Sequence, residues 1–196
     1  MSHDPKVIPI QRARVRGRGL CERSDDELME LAAGGVRDAF GELVGRYQER
    51  VRAFCRRWDP ERGDDLAQEA FLQLWAARKR YQPRGQLPLY LFTIVRNRCR
   101  NARRGWFRRP PLEPLSPDVS ALASSDQLDA VLERERALRV DRQVAQLPPK
   151  LREAVLLRFG EEMSYAEIAS IVGAPEATVR SRVFNGLRRL QEELLT

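Results

Sequence analysis

Apolar residues recur at intervals of three or four along most of this chain, which is the spacing that predicts amphipathic helices. The longest apolar stripe begins at Val36 and ends at Phe54, and shorter ones lie within residues 64–79 and 91–102. The alternation of apolar and polar residues that indicates a β-strand does not appear over any length. We therefore expect an all-α fold.

The helical pattern is interrupted where prolines and serines cluster, at residues 108–127. This composition is typical of a flexible linker. It predicts two small helical domains, at residues 24–107 and 128–196. Residues 1–23 are rich in arginine and lack a periodic apolar pattern, so we expect a disordered basic arm there.

Each predicted domain contains a capping box, in which a serine is followed three residues later by a glutamate. Ser24 with Glu27 starts the first helix of the chain, and Ser164 with Glu167 starts a short helix near its end. The Gly-Ala-Pro sequence of residues 173–175 ends that short helix, because glycine suits the left-handed position and proline cannot continue a helix. The second domain therefore ends in a predicted helix-turn-helix.

The second helix of this motif restarts at Glu176 and separates into two faces. Its apolar stripe, expected to pack inward, consists of Val179, Val183, Leu187, Leu190 and Leu194. Polar, basic and aromatic side chains are left on or near the outward face, at Thr178, Arg180, Ser181, Arg182, Phe184, Asn185 and Arg188. Side chains of these types contact phosphates and base edges, so the helix-turn-helix predicts sequence-directed DNA binding.

The charge of the chain agrees with a polyanionic partner. Its formal net charge is +7 and its pI is about 9.9. Nearly all of this basicity is arginine, since the lysines are Lys6, Lys79 and Lys150 alone. Arginine favours bidentate contacts with phosphate and guanine, but a GC-rich genome would produce the same bias. The composition leaves both explanations open.

Cysteine and histidine are too sparse for a metal site or a disulfide framework. Cys21, Cys55 and Cys99 lie far apart, and His3 is the only histidine. Apolar runs also stay well short of the ~20 residues that span a bilayer, and the N-terminus lacks a signal-peptide core. We expect a cytoplasmic protein with no metal, no cofactor and no membrane insertion.

The predicted fourth helix is the most basic part of the chain. Seven arginines and no acid occur within fourteen residues, at Arg96, Arg98, Arg100, Arg103, Arg104, Arg108 and Arg109. Aromatic residues that can stack on unpaired bases lie among or near them, at Tyr81, Tyr90, Phe92, Trp106 and Phe107. A solvated basic face over an aromatic core is the alternative. Unmixed charge of this extent favours nucleic-acid contact.

The predicted third helix is acidic, with Asp65 and Glu69 one turn apart and Gln68 beside them. Acids near a helix N-terminus stabilise the helix through its dipole, and this explanation needs no function. Paired carboxylates also suggest a Mg²⁺-dependent nuclease, although no further ligand lies at a convincing spacing. A third interpretation is a protein-docking face, with apolar anchors at Leu66, Phe71, Leu72 and Trp75. No nucleophile–base pair, phosphate-binding glycine loop or cofactor motif is present, so we expect no enzymatic activity.

Four segments, in order, resemble a bacterial sigma factor of the extracytoplasmic-function (group IV) type, and the resemblance runs from about Ser24 to Leu194. DDLAQEAFLQLW is similar to the segment that binds core polymerase, and LYLFTIVRNRCRNARR to the helix that melts and reads the −10 element. LPPKLREAVLLRF and MSYAEIASIVGAPEATVRSRVFNGLRRL are similar to the domain that reads the −35 element. Pro88, Leu89 and Tyr90 depart from residues more usual in the family.

The resemblance implies a role for each matching residue. The residues that match the positions docking on the β′ clamp helices of the polymerase are Asp64, Asp65, Gln68, Glu69 and Leu72. The residues that match positions contacting the −10 element are Arg80, Tyr81, Arg84, Gln86, Arg96, Asn97, Arg100 and Asn101. The loop of residues 80–86, called the −10 loop below, matches the family's pocket for a flipped base. Reading of the −35 element falls to the outward face of the last helix, given above.

The resemblance therefore implies a promoter-specificity subunit whose partners are core RNA polymerase, at its β′ clamp helices and β flap, promoter DNA and an anti-sigma factor. The Pro-rich linker would run toward the active-site and RNA-exit channel of polymerase. A stand-alone helix-turn-helix regulator is the alternative, and it predicts a dimer on a palindromic site. An Arg-rich RNA-binding protein would not need the helix-turn-helix.

Overall fold

A computed structural model describes residues 19–106 and 139–194, and both parts are helical. The first domain is built from four α-helices and one 3-10 turn. They are α1 (Asp25–Ala33), α2 (Arg37–Trp58), α3 (Gly63–Ala77), the 3-10 turn Arg78–Arg80 and α4 (Leu87–Trp106). The predicted linker and most of the predicted basic arm lie outside the described residues. Leu20, near the end of that arm, packs into the core.

Residues 139–194 of the second domain form four helices. They are α5 (residues 139–146), α6 (Pro149–Val155), which continues into a π-helical turn at Leu156–Gly160, α7 (Tyr165–Val172) and α8 (Glu176–Leu194). The all-α expectation is confirmed. Within the described ranges, no helix is long and apolar enough to cross a membrane.

Both predicted capping boxes are present. The Ser24 hydroxyl accepts from the Glu27 backbone while the Glu27 carboxylate accepts from the Ser24 backbone, and Ser164 and Glu167 form the same pair. Gly173 ends α7 with φ of 65°, a left-handed conformation that a side chain disfavours. The first helix of the helix-turn-helix, α7, therefore has a local signal at each of its ends.

The core of the first domain lies between α2 and its neighbours. Leu43, Val51 and Phe54 of α2 are buried against the other helices. Helix α3 approaches α2 closely at its first residue, since a Cβ on Gly63 would lie 2.5 Å from the Arg56 Cα. The start of α3, and hence its acidic face, is fixed by this backbone-to-backbone contact.

Four expectations about helix faces and bounds are corrected. Helix α4 begins at Leu87, before the apolar stripe of residues 91–102 that predicted it, because a proline such as Pro88 fits the first turn of a helix, where its missing N–H is not needed. Leu66 is fully buried and Phe92 packs on Phe54 with ring centroids 5.8 Å apart, so neither is a surface contact. Leu187 is 41% exposed.

The two domains pack against each other. Helix α4 contacts α7, and α2 contacts the π-helical turn. Buried Arg152 of α6 donates to the Trp58 carbonyl at 2.5 Å, with its guanidinium 5.1 Å from the centre of the Trp58 ring. Arg152 and Trp58 therefore contact each other across the boundary between the domains. Apolar residues of the two domains form one continuous cluster there.

Candidate nucleic-acid interface

Helices α2 and α3 form an exposed apolar groove on the first domain, with a volume of about 430 Å³. Trp75 and Phe40 form its floor in an edge-to-face pair with centroids 5.0 Å apart. Leu72 stands at the rim and is 62% exposed, which is unusual for a large apolar side chain in the middle of a helix. The remaining lining residues are Arg37, Val44, Gln68 and Phe71. We call this feature the α2–α3 groove.

The carboxylates of α3 near this groove differ in whether they form ion pairs. Asp64 binds Arg52 and Arg56 of α2 at 3.1 and 2.9 Å, and hydrogen bonds from these arginines lower its pKa. Asp65 is exposed, and Glu69 lies 3.7 Å from Arg98. Asp64 therefore fastens α3 to α2 and Glu69 pairs with α4, whereas Asp65 presents its charge to solvent.

The paired carboxylates on which the nuclease alternative rests lie beside polar and apolar residues of α3. Across residues 19–106 and 139–194, no group of three or more histidine, cysteine or acidic side chains is placed to hold a metal ion. Asp65 and Glu69 instead share a helix face with Gln68 and Leu72, at the edge of the α2–α3 groove. The acidic helix is thus part of a surface with the mixed polar and apolar character of protein interfaces.

The −10 loop borders a second cavity, of about 330 Å³. Tyr81 lies on one side with its ring centroid 5.2 Å from that of Tyr90 in α4. Gly85 turns the loop with φ of 65°. Two effects raise the pKa of the Tyr81 hydroxyl, burial being the larger and the hydrogen bond to Asp26 the smaller. Predicted residues thus meet at one pocket, whose lining includes Arg80, Tyr81, Arg84, Gln86 and Tyr90.

The predicted −10 face of α4 is turned toward the second domain. Arg96 binds the buried carboxylate of Glu153 at 3.0 Å, and Arg100 lies 3.6 Å from the same oxygen. Asn97 and Asn101 are exposed. The two arginines therefore pair with the second domain, whereas the two asparagines are exposed, and Asn97 accepts a hydrogen bond from Arg96 at 3.2 Å.

The predicted −35 face of α8 is largely exposed. Phe184 is 67% exposed, and the side chains of Arg180 and Arg188 are 63% and 62% exposed. Thr178 and Ser181 are exposed beside them, and Asn185 donates to the Ser181 hydroxyl. These six residues form a continuous polar, basic and aromatic surface.

Arg182 differs from the rest of its set. Its side chain is only 19% exposed and approaches Glu153 at 3.8 Å. The residue therefore lies at the edge of the α8 face, turned inward by a buried charge that needs a cation. Glu153 in this way contacts arginines of both the predicted −10 set and the predicted −35 set.

The sequence-based site sets lack several residues of these surfaces, among them Phe40, Asp26 and Glu153. Phe40 belonged to the apolar stripe of α2, and only the fold shows that it lines a groove. Asp26 is one of three acids in the first turn of α1, so its contact with the −10 loop has no sequence signal. Glu153 had one, because a lone acid inside the apolar run LREAVLL indicates a buried charge that needs a partner.

Comparisons with known families and proteins agree with this geometry. The family model described as Sigma-70 region 2 matches residues 43–107, and the one described as Sigma-70, region 4 matches residues 137–190. The RNA polymerase sigma-H factor of Pseudomonas aeruginosa is 30% identical, over 89% of this chain and 96% of its own. The ECF RNA polymerase sigma-E factor of Escherichia coli K12 is 32% identical, over 87% of this chain and 94% of its own.

Two similar solved structures are complexes. CnrH bound to the cytosolic domain of CnrY has a TM-score of 0.66 and 25% identity, over 88% of this chain and 97% of CnrH. The sigma factor RpoE of Bartonella quintana, bound to the anti-sigma factor NepR, has a TM-score of 0.62 and 25% identity, over 80% of this chain and 97% of that one. The similarity covers both domains.

Proposed function

Because the chain belongs to the sigma factors of RNA polymerase, in the extracytoplasmic-function group, we propose a role for each of its surfaces in promoter-specific initiation. The α2–α3 groove docks on core polymerase, the −10 loop and α4 hold the −10 element, and α8 reads the −35 element. The chain contributes binding and no catalytic group. It acts in the cytoplasm, on the nucleoid when it is part of the holoenzyme.

The α2–α3 groove carries this proposal. It combines the half-buried Trp75 of its floor and the exposed Leu72 of its rim with carboxylates at Asp65 and Glu69. A partner helix with apolar and basic side chains fits such a surface, because buried aromatic anchors provide affinity and rim charges provide orientation. The β′ clamp helices of core polymerase are the proposed occupant, and the β flap is proposed to contact the second domain.

DNA recognition is divided between the two domains. On α8, Arg180 and Arg188 have exposed side chains that would exchange their surface ion pairs with Glu176 and Glu192 for phosphates and guanines in a major groove. Phe184 supplies an apolar contact for a base edge. On the first domain, the pocket at the −10 loop has the aromatic walls and basic rim that a base leaving its stack requires. Arg96 and Arg100 must exchange Glu153 for phosphate when α4 binds the non-template strand.

An anti-sigma protein is the proposed inhibitor. Two similar structures, those of RpoE and CnrH, were solved with a bound partner, and the partner of RpoE is an anti-sigma factor. The α2–α3 groove is the surface through which a single inhibitor would block docking on polymerase. Competition between that inhibitor and core polymerase for the full chain would test this part of the proposal.

In vitro transcription with core polymerase tests the main proposal. Templates carrying random sequence at the −35 and −10 positions are transcribed with core enzyme plus the full chain, and the transcripts are sequenced. The proposal expects enriched bases in two blocks that depend on the chain. Absence of any enrichment, together with tight binding of a palindrome by the chain alone, would instead support the stand-alone regulator.

A charge-reversed pair tests the docking surface. Asp65→Arg with Glu69→Arg should reduce pulldown of core polymerase by about tenfold or more, since like charge at an interface is strongly unfavourable. The matched control is Glu22→Arg with Glu30→Arg, which reverses two exposed acids away from the groove. Equal pulldown by both pairs, with helical circular dichroism retained, would contradict the assignment of the groove.

A further inference from the structure

The −10 loop is held in place by an acid from a distant part of the chain. Asp26, in the first turn of α1, accepts a 2.5 Å hydrogen bond from the Tyr81 hydroxyl through Oδ1. Its other oxygen, Oδ2, accepts the backbone N–H of Gly85 at 2.6 Å. The Asp26 carboxylate therefore joins Tyr81 to the left-handed turn at Gly85, and each of its oxygens accepts one hydrogen bond.

The anchor itself is rigid. The Ser24 capping box fixes the start of α1, and Asp25 ties the same turn to α2 through Arg46 at 2.9 Å and through the Tyr47 hydroxyl. Leu28 and Met29 of α1 are buried in the core. Because the −10 loop is hydrogen-bonded to the first turn of α1, its position is fixed by the core, although residues 82–86 are themselves exposed.

The two bonds act on the side chain that borders the pocket. Tyr81 forms a wall of the cavity with Tyr90, and its hydroxyl is the group that Asp26 holds. Without the carboxylate, the ring would be free to rotate about its side-chain torsions and Gly85 would lose its backbone partner. Bonds to a charged acceptor are stronger than neutral ones, so this contact is well suited to fix a pocket wall.

We propose that Asp26 is a positioning residue for promoter recognition: by holding Tyr81 and Gly85 it sets the shape of the base pocket and hence the −10 sequence that the holoenzyme accepts. The inference rests on the proposed role of the −10 loop. Asp26 does not touch the base, and it acts through the loop.

The test uses the holoenzyme and a template pool randomised across the −10 region, with enrichment read by sequencing of transcripts. Asp26→Asn keeps the shape of the side chain but cannot accept both hydrogen bonds. It should lower the preference at the pocket position by about tenfold, the effect expected for a lost bond to a charged group. Tyr81→Phe, which removes only the hydroxyl, should loosen the same position.

Asp25→Asn is the matched control, since it makes the same change in the same helical turn but affects contacts with α2 only. It should lower thermal stability and leave the base preferences unchanged. The double variant Asp26→Asn with Tyr81→Phe should lose little more preference than Asp26→Asn alone, because the bond between Tyr81 and Asp26 is already altered in that single variant. A merely structural role would instead change yield without changing the profile.

The outcomes separate the two claims. If the wild-type holoenzyme shows no base preference across the −10 region, the proposed role of the loop is wrong. If the wild type has a preference and both Asp26→Asn and Tyr81→Phe keep it in full, the loop role stands and the positioning role of Asp26 is overturned. Loss of preference in Asp25→Asn as large as in Asp26→Asn would also overturn it.

Discussion

Arg96 of α4 donates a hydrogen bond of 3.0 Å to Glu153 of α6, across the boundary between the two domains. The carboxylate is 1% exposed and also has Arg100 and Arg182 within 4 Å. A buried acid surrounded by arginines is stabilised only while they stay, and removal of the cations would leave a costly unpaired charge. The arginines proposed to bind −10 phosphates are thus held by the second domain.

Neutralising Glu153 should release these arginines to nucleic acid. We expect Glu153→Gln to raise the affinity of the free chain for random single-stranded oligonucleotides by about tenfold at low salt, the effect of roughly two added phosphate contacts. Fluorescence anisotropy over a salt series measures it, and the salt slope should steepen. Glu30→Gln makes the same charge change at an exposed site and is the control. Equal affinities for the two variants would show that Glu153 does not restrain Arg96.

The domain contact should also depend on pH. Burial raises the pKa of Glu161 to about 7, against the opposing charges of Arg50 and Arg57 from the first domain. Glu161 therefore binds a proton when the two domains are packed together and releases it when they separate. The packing of the domains is accordingly weakened as pH rises from 4.5 toward 7. The packing constant should fall about tenfold between pH 6 and pH 8.

Energy transfer between dyes on Cys21 and on an introduced Glu193→Cys measures that change. Both residues are exposed, and Cys21 lies just before the first domain, next to Leu20 of its core, whereas Glu193 lies in the second domain. Glu161→Gln removes the titrating group, so its transfer efficiency should be flat over the same range. A pH response that survives in Glu161→Gln would assign the effect to another group.

Local features of the fold could be predicted because their signals lie within a few residues. The Ser164 capping box and the left-handed Gly173 needed only the letters around them, and the stripe of α2 needed only its period. The inward side of α8 could not be predicted in full, because it passes through Gly186. A Cβ there would lie 2.6 Å from Val155, so α8 approaches α6 at the glycine and turns Leu187 toward solvent.

The candidate site was predicted unevenly for a related reason. Exposed residues of α8 such as Arg180 follow from helical periodicity, which the sequence contains. The contacts of Arg96 with Glu153 and of Asp26 with Gly85 join positions 57 and 59 residues apart. No periodic pattern encodes such pairs, because they depend on how whole helices pack.

The contact of α3 with α2 gives a stability prediction. Gly63→Ala places a Cβ 2.5 Å from the Arg56 Cα, and a backbone cannot move aside as a flexible side chain does. The free energy of unfolding should fall by about 1–3 kcal/mol, as for other overpacked sites. Gly41→Ala, on an open face of α2, should instead raise it by about 0.5–1 kcal/mol. Urea unfolding followed by circular dichroism distinguishes the signs, and similar values for both would mean that the close approach is absent.

The exposed face of α8 allows DNA reading to be separated from stability. Phe184 is 67% exposed and Phe159, in the same domain but off that face, is 57% exposed. Truncating either to alanine removes a solvated ring, so the unfolding free energy should change by only about 0.5 kcal/mol. Phe184→Ala should reduce base enrichment in the −35 block of the randomised templates several-fold, since an apolar contact with a base edge is lost. Phe159→Ala should keep it, and the −10 block should be the same in both. Equal −35 enrichment in the two variants would place the reading surface elsewhere on the second domain, because these phenylalanines differ in position and only slightly in exposure.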